Sequence, residues 1–155
     1  LIELYCYDNQ LTSLDLSNNT ALCSLYCNGN QLTSLDVSGA TALEILNCQE
    51  NQLTSLDVSN NTVLELLRCD DNQLTSLDLS NNTALKYLNC HNNKLLSTAS
   101  KIGLDVKNGN NTNMNLRATN NPNLHCINVD DVQYSYNNWF NIDAQSYFSE
   151  DCGAK

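Results

Sequence analysis

The residues best equipped for chemistry are the cysteines. Eight occur in 155 residues, and five of them, Cys6, Cys27, Cys48, Cys69 and Cys90, stand at one fixed interval. A thiol recurring at one phase could ligate a metal, form disulfides or pack as a small hydrophobe. Zinc needs four ligands converging at about 2.3 Å. Residues repeated in phase on parallel strands instead form a column, with about 4.8 Å between members. The sequence holds no C-x-x-C pair, and Cys23 and Cys27, four apart on an extended segment, are too distant for one tetrahedron. Neighbouring rungs nearly meet the Cα separation of a disulfide, about 4.4–6.8 Å. Parallel Cβ vectors give the wrong torsion, however, and five thiols in a column cannot all pair. The column therefore reads as core packing, with no metal site and no cofactor expected. Cys23 is off phase and belongs at a surface or edge. Cys126 and Cys152 also lie outside the phase and are expected to form a disulfide with each other.

Carboxylates form a second ladder at Asp15, Asp36, Asp57 and Asp78, echoed by Asp105. Stacked like charges repel, so flanking hydroxyls and corner N–H groups are expected to hold them, as in Asx turns. A calcium column is the sharper alternative, since calcium takes roughly six to eight oxygens. The glycine-rich nonapeptide of calcium-binding β-rolls is absent. The two histidines, His91 and His125, have no evident nucleophile partner, and no glycine-rich phosphate loop occurs. No catalytic residue is assigned, and the chain is not expected to be an enzyme. Thr12, Thr33, Thr54 and Thr75 form a threonine column beside the aspartates, read as strand structure. Asn-Asn-Thr at 18–20, 60–62, 81–83 and 110–112 fits an N-glycosylation pattern but is read as a corner motif.

These columns need elements that return each residue to the same place. Four units align without gaps, at residues 1–21, 22–42, 43–63 and 64–84; a fifth begins at Leu85 and loses register after Asn93. A fixed period of this size points to a solenoid. Within a unit the apolar residues alternate: Leu46 and Cys48 against Ile45 and Asn47, Leu56 and Val58 against Ser55 and Asp57. Period two signals half-buried strands. Two short strands and their corners use up the whole unit, leaving no room for an ordinary helix. The expected fold is a mainly β repeat solenoid with two short strands per 21-residue turn. "KLLSTASKI" interrupts the array. A degenerate repeat resumes over residues 104–124, with Leu116, Ala118 and Asn121 in the leucine, cysteine and asparagine phases. The remaining residues, 125–155, carry Trp139, Phe140 and Phe148 and are expected to close the open apolar end. Short helical turns are expected there at about 130–137 and 143–148, with Asp130 and Asp143 as N-caps.

Bulk composition bounds the partners. A formal charge of -10 and a pI of about 4.2 weigh against nucleic acid or an anionic membrane surface. No stretch approaches the roughly 18 apolar residues of a membrane span. The chain opens directly on the repeat without a signal-like segment, so it is expected to be a fragment or a processed chain. The uncapped start at Leu1 raises a second expectation, a structural spacer with end-to-end self-association.

The unit L-x-x-L-x-C-x-x-N-Q-L resembles the signature of leucine-rich repeat proteins. The resemblance is strong over residues 1–95 and reaches in degenerate form to about 124. It implies that the first strand, Leu4–Cys6 and its copies, lines a concave face. It also implies that Asn9, Asn30, Asn51, Asn72 and Asn93 bond backbone groups at the corner beyond. The family binds partners through that face, which points to a protein or glycan ligand. The outward columns are then Tyr5, Tyr26, Asn47, Arg68, Asn89 and Arg117, and Tyr7, Asn28, Gln49, Asp70, His91 and Thr119. A third holds Asp8, Gly29, Glu50, Asp71 and Asn92. "LTSLDLSNNT" is similar to repeats of bacterial surface proteins, including those of Bacteroidota. "ATNNPNL-x-C-I-x-VDD" and "NIDAQ-x-x-FS-x-x-C" resemble C-terminal segments of secreted proteins from that group. The implied location is extracellular or on the cell surface, often with a secretion-sorting domain following.

Overall fold

The computed structural model describes residues 1–153. Each leucine-rich unit contributes one short strand to a parallel sheet: β1 (Glu3–Tyr5), β2 (Ser24–Tyr26), β3 (Ile45–Asn47), β4 (Leu66–Arg68), β6 (Tyr87–Asn89) and β8 (Asn115–Arg117), paired in that order. The register never slips. Leu4, Leu25, Leu46, Leu67, Leu88 and Leu116 lie side by side. The step from Leu88 to Leu116 is longer than the repeat period, yet Lys94, Leu95 and Leu96 of "KLLSTASKI" still follow the stack, Lys94 and Leu96 donating their N–H groups to the Leu74 and Thr75 carbonyls and Leu95 lying wholly buried, so the extra residues fall after Leu96. One hydrophobic core runs the length of the coil, with Leu25, Leu46, Leu67 and Leu88 wholly buried beside Cys27, Cys48, Cys69 and Cys90.

A second sheet covers the other side of that core over part of the chain. It comprises β5 (Leu77–Asp78), β7 (Leu104–Asp105), β9 (Cys126–Asn128) and β10 (Tyr147–Ser149), all parallel. In the first three units the corresponding segments bury Leu16, Leu35, Val37, Leu56 and Val58 but form no ladder. Grooves open between them instead, lined by pairs such as Asp15 and Asp36, Asp36 and Asp57, and Asp57 and Asp78. The second strand of each turn is therefore an extended, buried segment that gains ladder bonds only from the fourth unit onward.

The C-terminal residues continue this second sheet rather than merely covering an end. β9 follows β7 and β10 follows β9, while Asn141 bridges Arg117 at the edge of the first sheet. Between them runs α1 (Val132–Asn138), the one α-helix among the described residues. Its N-cap is Asp131, which accepts the Tyr134 N–H at 2.8 Å, and not Asp130 as expected. Asp130 instead accepts the Gly109 N–H at 2.8 Å. The helical turn expected at 143–148 is also corrected. A single turn closes from Ser146 N–H to Asp143 C=O, and the chain then extends into β10 with Phe148 buried between Tyr147 and Ser149. Asp143 caps no helix. Its carboxylate accepts the N–H groups of Asn120 and Asn121 at 2.9 and 2.7 Å, donors at the last repeat corner. Trp139 packs edge-on against Phe148 and donates its indole N–H to the Met114 carbonyl at 3.0 Å. Cys126 on β9 is disulfide-bonded to Cys152 beyond β10.

Candidate binding face

The first corner of each turn is built by asparagine. Asn51 donates Nδ2 to the carbonyls of Cys27, Cys48 and Gln49 at 3.1–3.2 Å, and its Oδ1 accepts the Leu32 N–H at 2.9 Å. Asn30, Asn72 and Asn93 repeat the pattern, joining each turn to the one before. Asn121 does the same for the degenerate unit, whereas Asn9 bonds only Cys6 and Tyr7 of its own turn. The residue before each asparagine takes positive φ: Asp8, Gly29, Glu50, Asp71, Asn92 and Asn120 lie between 51° and 64°. The expected third recognition column is thus a run of left-handed corner residues, a conformation that asparagine, aspartate and glycine tolerate best.

A second asparagine ladder stands at the opposite corner. Asn61 and Asn82 are wholly buried; Asn61 donates to Val37 and Ala40 carbonyls, Asn82 to those of Val58 and Asn61. These are the middle residues of the Asn-Asn-Thr motifs. The motif itself was visible in the sequence, but it did not say which of its asparagines turns inward.

The thiols line the core behind the first sheet. Cys48, Cys69 and Cys90 donate Sγ–H to the carbonyls of Arg68, Asn89 and Arg117 on the next rung, at 3.4–3.6 Å. Burial pushes the Cys27 and Cys90 thiols up to about 12 and those of Cys48 and Cys69 well above their ordinary range. These are protonated packing groups, not thiolate nucleophiles. Cys23 is half-buried off the column. Among the described residues no three His, Cys, Asp or Glu side chains converge as a metal site would require.

The aspartate ladder is held locally. Asp15, Asp36, Asp57, Asp78 and Asp105 each accept the N–H two residues on, at 2.9–3.0 Å. The Ser17 and Ser38 hydroxyls, with those N–H groups, hold the carboxyls of Asp15 and Asp36 below their usual range. For Asp57 the Ser59 N–H leads and its hydroxyl assists. Both carboxylate oxygens of Asp105 also accept from Asn128 Nδ2, at 3.1 Å.

The remaining face is the solvent side of the six-stranded sheet. Tyr5 and Tyr7 are 58% and 50% exposed, Arg117 is exposed, and Tyr26, Asn28, Gln49, Arg68 and His91 are half-buried. Asn47, Asp70 and Asn89 share this side but are covered to 8%, 5% and 3% exposure, each flanked by longer side chains on neighbouring rungs. Tyr5 and Tyr26 stack at 5.0 Å and 11°, a distance set by the rung spacing. The Tyr5 hydroxyl donates to Glu3 at 2.7 Å, and that bond raises its pKa. His91 Nδ1 meets Thr119 Oγ1 at 2.9 Å. A further column on the same side, of which only Ile45 was placed outward from sequence, comprises Glu3, Ser24, Ile45, Leu66, Tyr87 and Asn115, in register two residues before the tyrosine column. Counting back by two from Tyr5 would have found it.

The parallel β-coil, its in-register leucines and its asparagine corners define a leucine-rich repeat solenoid. Among solved structures, the functional domain of InlJ from Listeria monocytogenes, described as including a cysteine ladder, is similar over 96% of this chain, at 37% identity and a TM-score of 0.75. Two internalins from Listeria monocytogenes strain 4b F2365 share the fold at 23% identity over 96% of the chain: inlF at a TM-score of 0.71 and internalin C2 at 0.53. The chain spans 34% of the InlJ chain, 43% of inlF and 71% of internalin C2. No protein-family model matches the chain, and no curated protein does.

Proposed function

We propose that this chain is an extracellular protein-binding module that recognises its partner through the solvent side of the six-stranded sheet. One observation carries this reading. The leucine, cysteine, asparagine and aspartate columns repeat from rung to rung, while the outward columns change at nearly every step: Tyr5, Tyr26, Asn47, Arg68, Asn89 and Arg117 occupy equivalent positions. A constant frame carrying a varied face is what recognition requires, and tyrosine and arginine are favoured anchors. Over the first four units the rungs are joined by ladder bonds on this side and parted by grooves on the other, an arrangement that supports a concave shape for the sheet there.

Protein is favoured over glycan by the tyrosine stack. Tyr5 and Tyr26 stack on each other, so each covers one ring face of the other. A sugar platform would present a flat ring face. Catalysis forms no part of this reading. The extracellular location rests on the Cys126–Cys152 disulfide, which persists in oxidising compartments, and on the resemblance to secreted Bacteroidota repeat proteins. The folding unit is proposed to comprise the array over residues 1–124 and the closing segment 125–155.

The test is capture on parallel protein and glycan arrays, comparing the parent chain with a Tyr26→Ala, Arg68→Ala double variant of unchanged thermal midpoint. Protein hits lost by the double variant support the proposal. Hits confined to glycans, or protein hits retained at full strength, refute it.

A further inference from the structure

The sheet face contains a cluster whose hydrogen bonding is incomplete within the chain. Asp70 alternates with inward Cys69 and so lies on the outward side, yet it is 5% exposed, covered by neighbouring side chains on that face. One carboxylate oxygen, Oδ2, is 3.4 Å from Arg68 Nη2; the other, Oδ1, is buried and meets no partner. Gln49 occupies the same position one rung earlier, because Asn47 pairs with Arg68. Its Nε2 donates to Glu50 at 3.2 Å. That bond settles the amide orientation, since the reverse would set two oxygens against each other. Gln49 Oε1 is then a second buried acceptor without a partner, and Arg68 Nε is a buried donor without one, so the unmet groups are two acceptors and one donor. Glu50 and Asp71 follow at the corners. Arg68 is the only cationic side chain on β3, β4 and their outgoing corners, leaving a net charge of minus two on this stretch.

Two unsatisfied acceptors on adjacent rungs, inside a negative surround, call for a cation with several donors in one plane. A guanidinium has five donors in a rigid fork and is weakly hydrated, so it bridges separated acceptors where an ammonium satisfies them one at a time. A guanidinium also tolerates the nearby Arg68, because Glu50 and Asp71 outweigh that charge. We propose that Gln49 and Asp70, once the side chains that cover their oxygens turn aside, form a seat for an arginine side chain of a protein partner, with Glu50 and Asp71 drawing it in. The proposal rests on the sheet face being the binding surface and names the chemistry of what it receives.

The test is a two-dimensional 15N NMR titration of the whole chain at low salt with the blocked tripeptide Gly-Arg-Gly, beside Gly-Lys-Gly and Gly-Glu-Gly. The expected result is saturable shifts clustered at residues 47–50 and 68–71 for the arginine peptide, weaker for lysine and absent for glutamate. Asp70→Asn, and separately Gln49→Leu, should each weaken the arginine response at least about tenfold, with thermal midpoints confirming that both variants fold. Asp57→Asn, on the aspartate ladder, should leave it unchanged. Equal responses to lysine and arginine, an undiminished response in both site variants, or shifts spread along Asp15, Asp36 and Asp57 would each overturn the seat. If Asp70→Asn keeps a protein partner that the Tyr26→Ala, Arg68→Ala variant loses, the seat fails while the binding face stands. If the arginine seat responds as expected but the double variant keeps its protein hits, the broader reading fails instead.

Discussion

Replacing Asn51 by alanine should destabilise the coil far more than the same change at Asn9. Asn51 is 8% exposed and makes four bonds: three from Nδ2 to the Cys27, Cys48 and Gln49 carbonyls and one at Oδ1 from the Leu32 N–H. The losses are unequal. The Cys27 carbonyl keeps Asn30 and the Cys48 carbonyl keeps Asn72, so both retain a donor. The Leu32 N–H, on a residue with no exposed surface, has no substitute. A buried donor left unpaired costs about 1–3 kcal/mol, and the remaining bonds add about 1 kcal/mol more. The expected loss is about 3 kcal/mol, equivalent to a fall of roughly 6–12 °C in midpoint for a chain of this size. Asn9 is exposed and bonds only its own turn, so Asn9→Ala should cost less than about 1 kcal/mol. Urea unfolding followed by circular dichroism, with the slope compared across variants, measures both. An Asn51→Ala loss below about 0.5 kcal/mol, or equal losses at the two positions, would refute the idea that the ladder works by joining turns.

Three further outcomes follow from the same structure. The buried thiols stay protonated in the folded chain while unfolded cysteine ionises from about pH 8.5; their contribution is therefore complete below that pH and lost as pH rises toward the value of about 12 reached by Cys27 and Cys90. The thermal midpoint should drop above about pH 9, and a midpoint that stays flat well into the alkaline range would contradict the burial. The carboxyls of Asp15, Asp36 and Asp57 are depressed, so their contribution is present above the unfolded value of about 3.9 and lost as pH falls through the lower folded values. NMR titration of Ser38→Ala should show the Asp36 carboxyl returning toward its ordinary range, and an unmoved Asp36 would show that the hydroxyl does not matter. Breaking the disulfide by Cys126→Ala with Cys152→Ala should cost roughly 3 kcal/mol in the chain-entropy relation for a loop of this length, read as a lower midpoint with β1 to β4 amides unshifted by NMR.

Much of the frame was legible because the unit packs against copies of itself. Leu46 meets Leu25 and Leu67 at the same phase, so a strict repeat period prescribes both the pairing and its register. While the resemblance to leucine-rich repeats implied the corner role of Asn51, the same reasoning assigned Cys48 to the interior and the out-of-phase pair Cys126 and Cys152 to a disulfide. It failed where the partner is not a copy. Asp130 and Asp131 are equally good caps by sequence, and Gly109, far from Asp130 along the chain, decides between them. Asp143 looked like a helix start because its real partners, the N–H groups of Asn120 and Asn121, belong to another turn.

The candidate face divides along the same line. Period two in the sequence put Gln49, Arg68 and Asp70 on the solvent side, because successive side chains in a strand must alternate. That Asp70 nonetheless lies covered, with an oxygen left unpaired, depends on which side chains stand on the rungs beside it. Those neighbours are a full repeat away along the chain and one strand spacing away in space. By itself the sequence determined the coil and its core thiols, since each follows from one unit repeated, and its resemblance to leucine-rich repeats implied the first asparagine ladder. Only the tertiary structure decided burial and hydrogen-bond completion on the varied face, because those depend on pairs of unlike residues that a repeat brings together but does not specify.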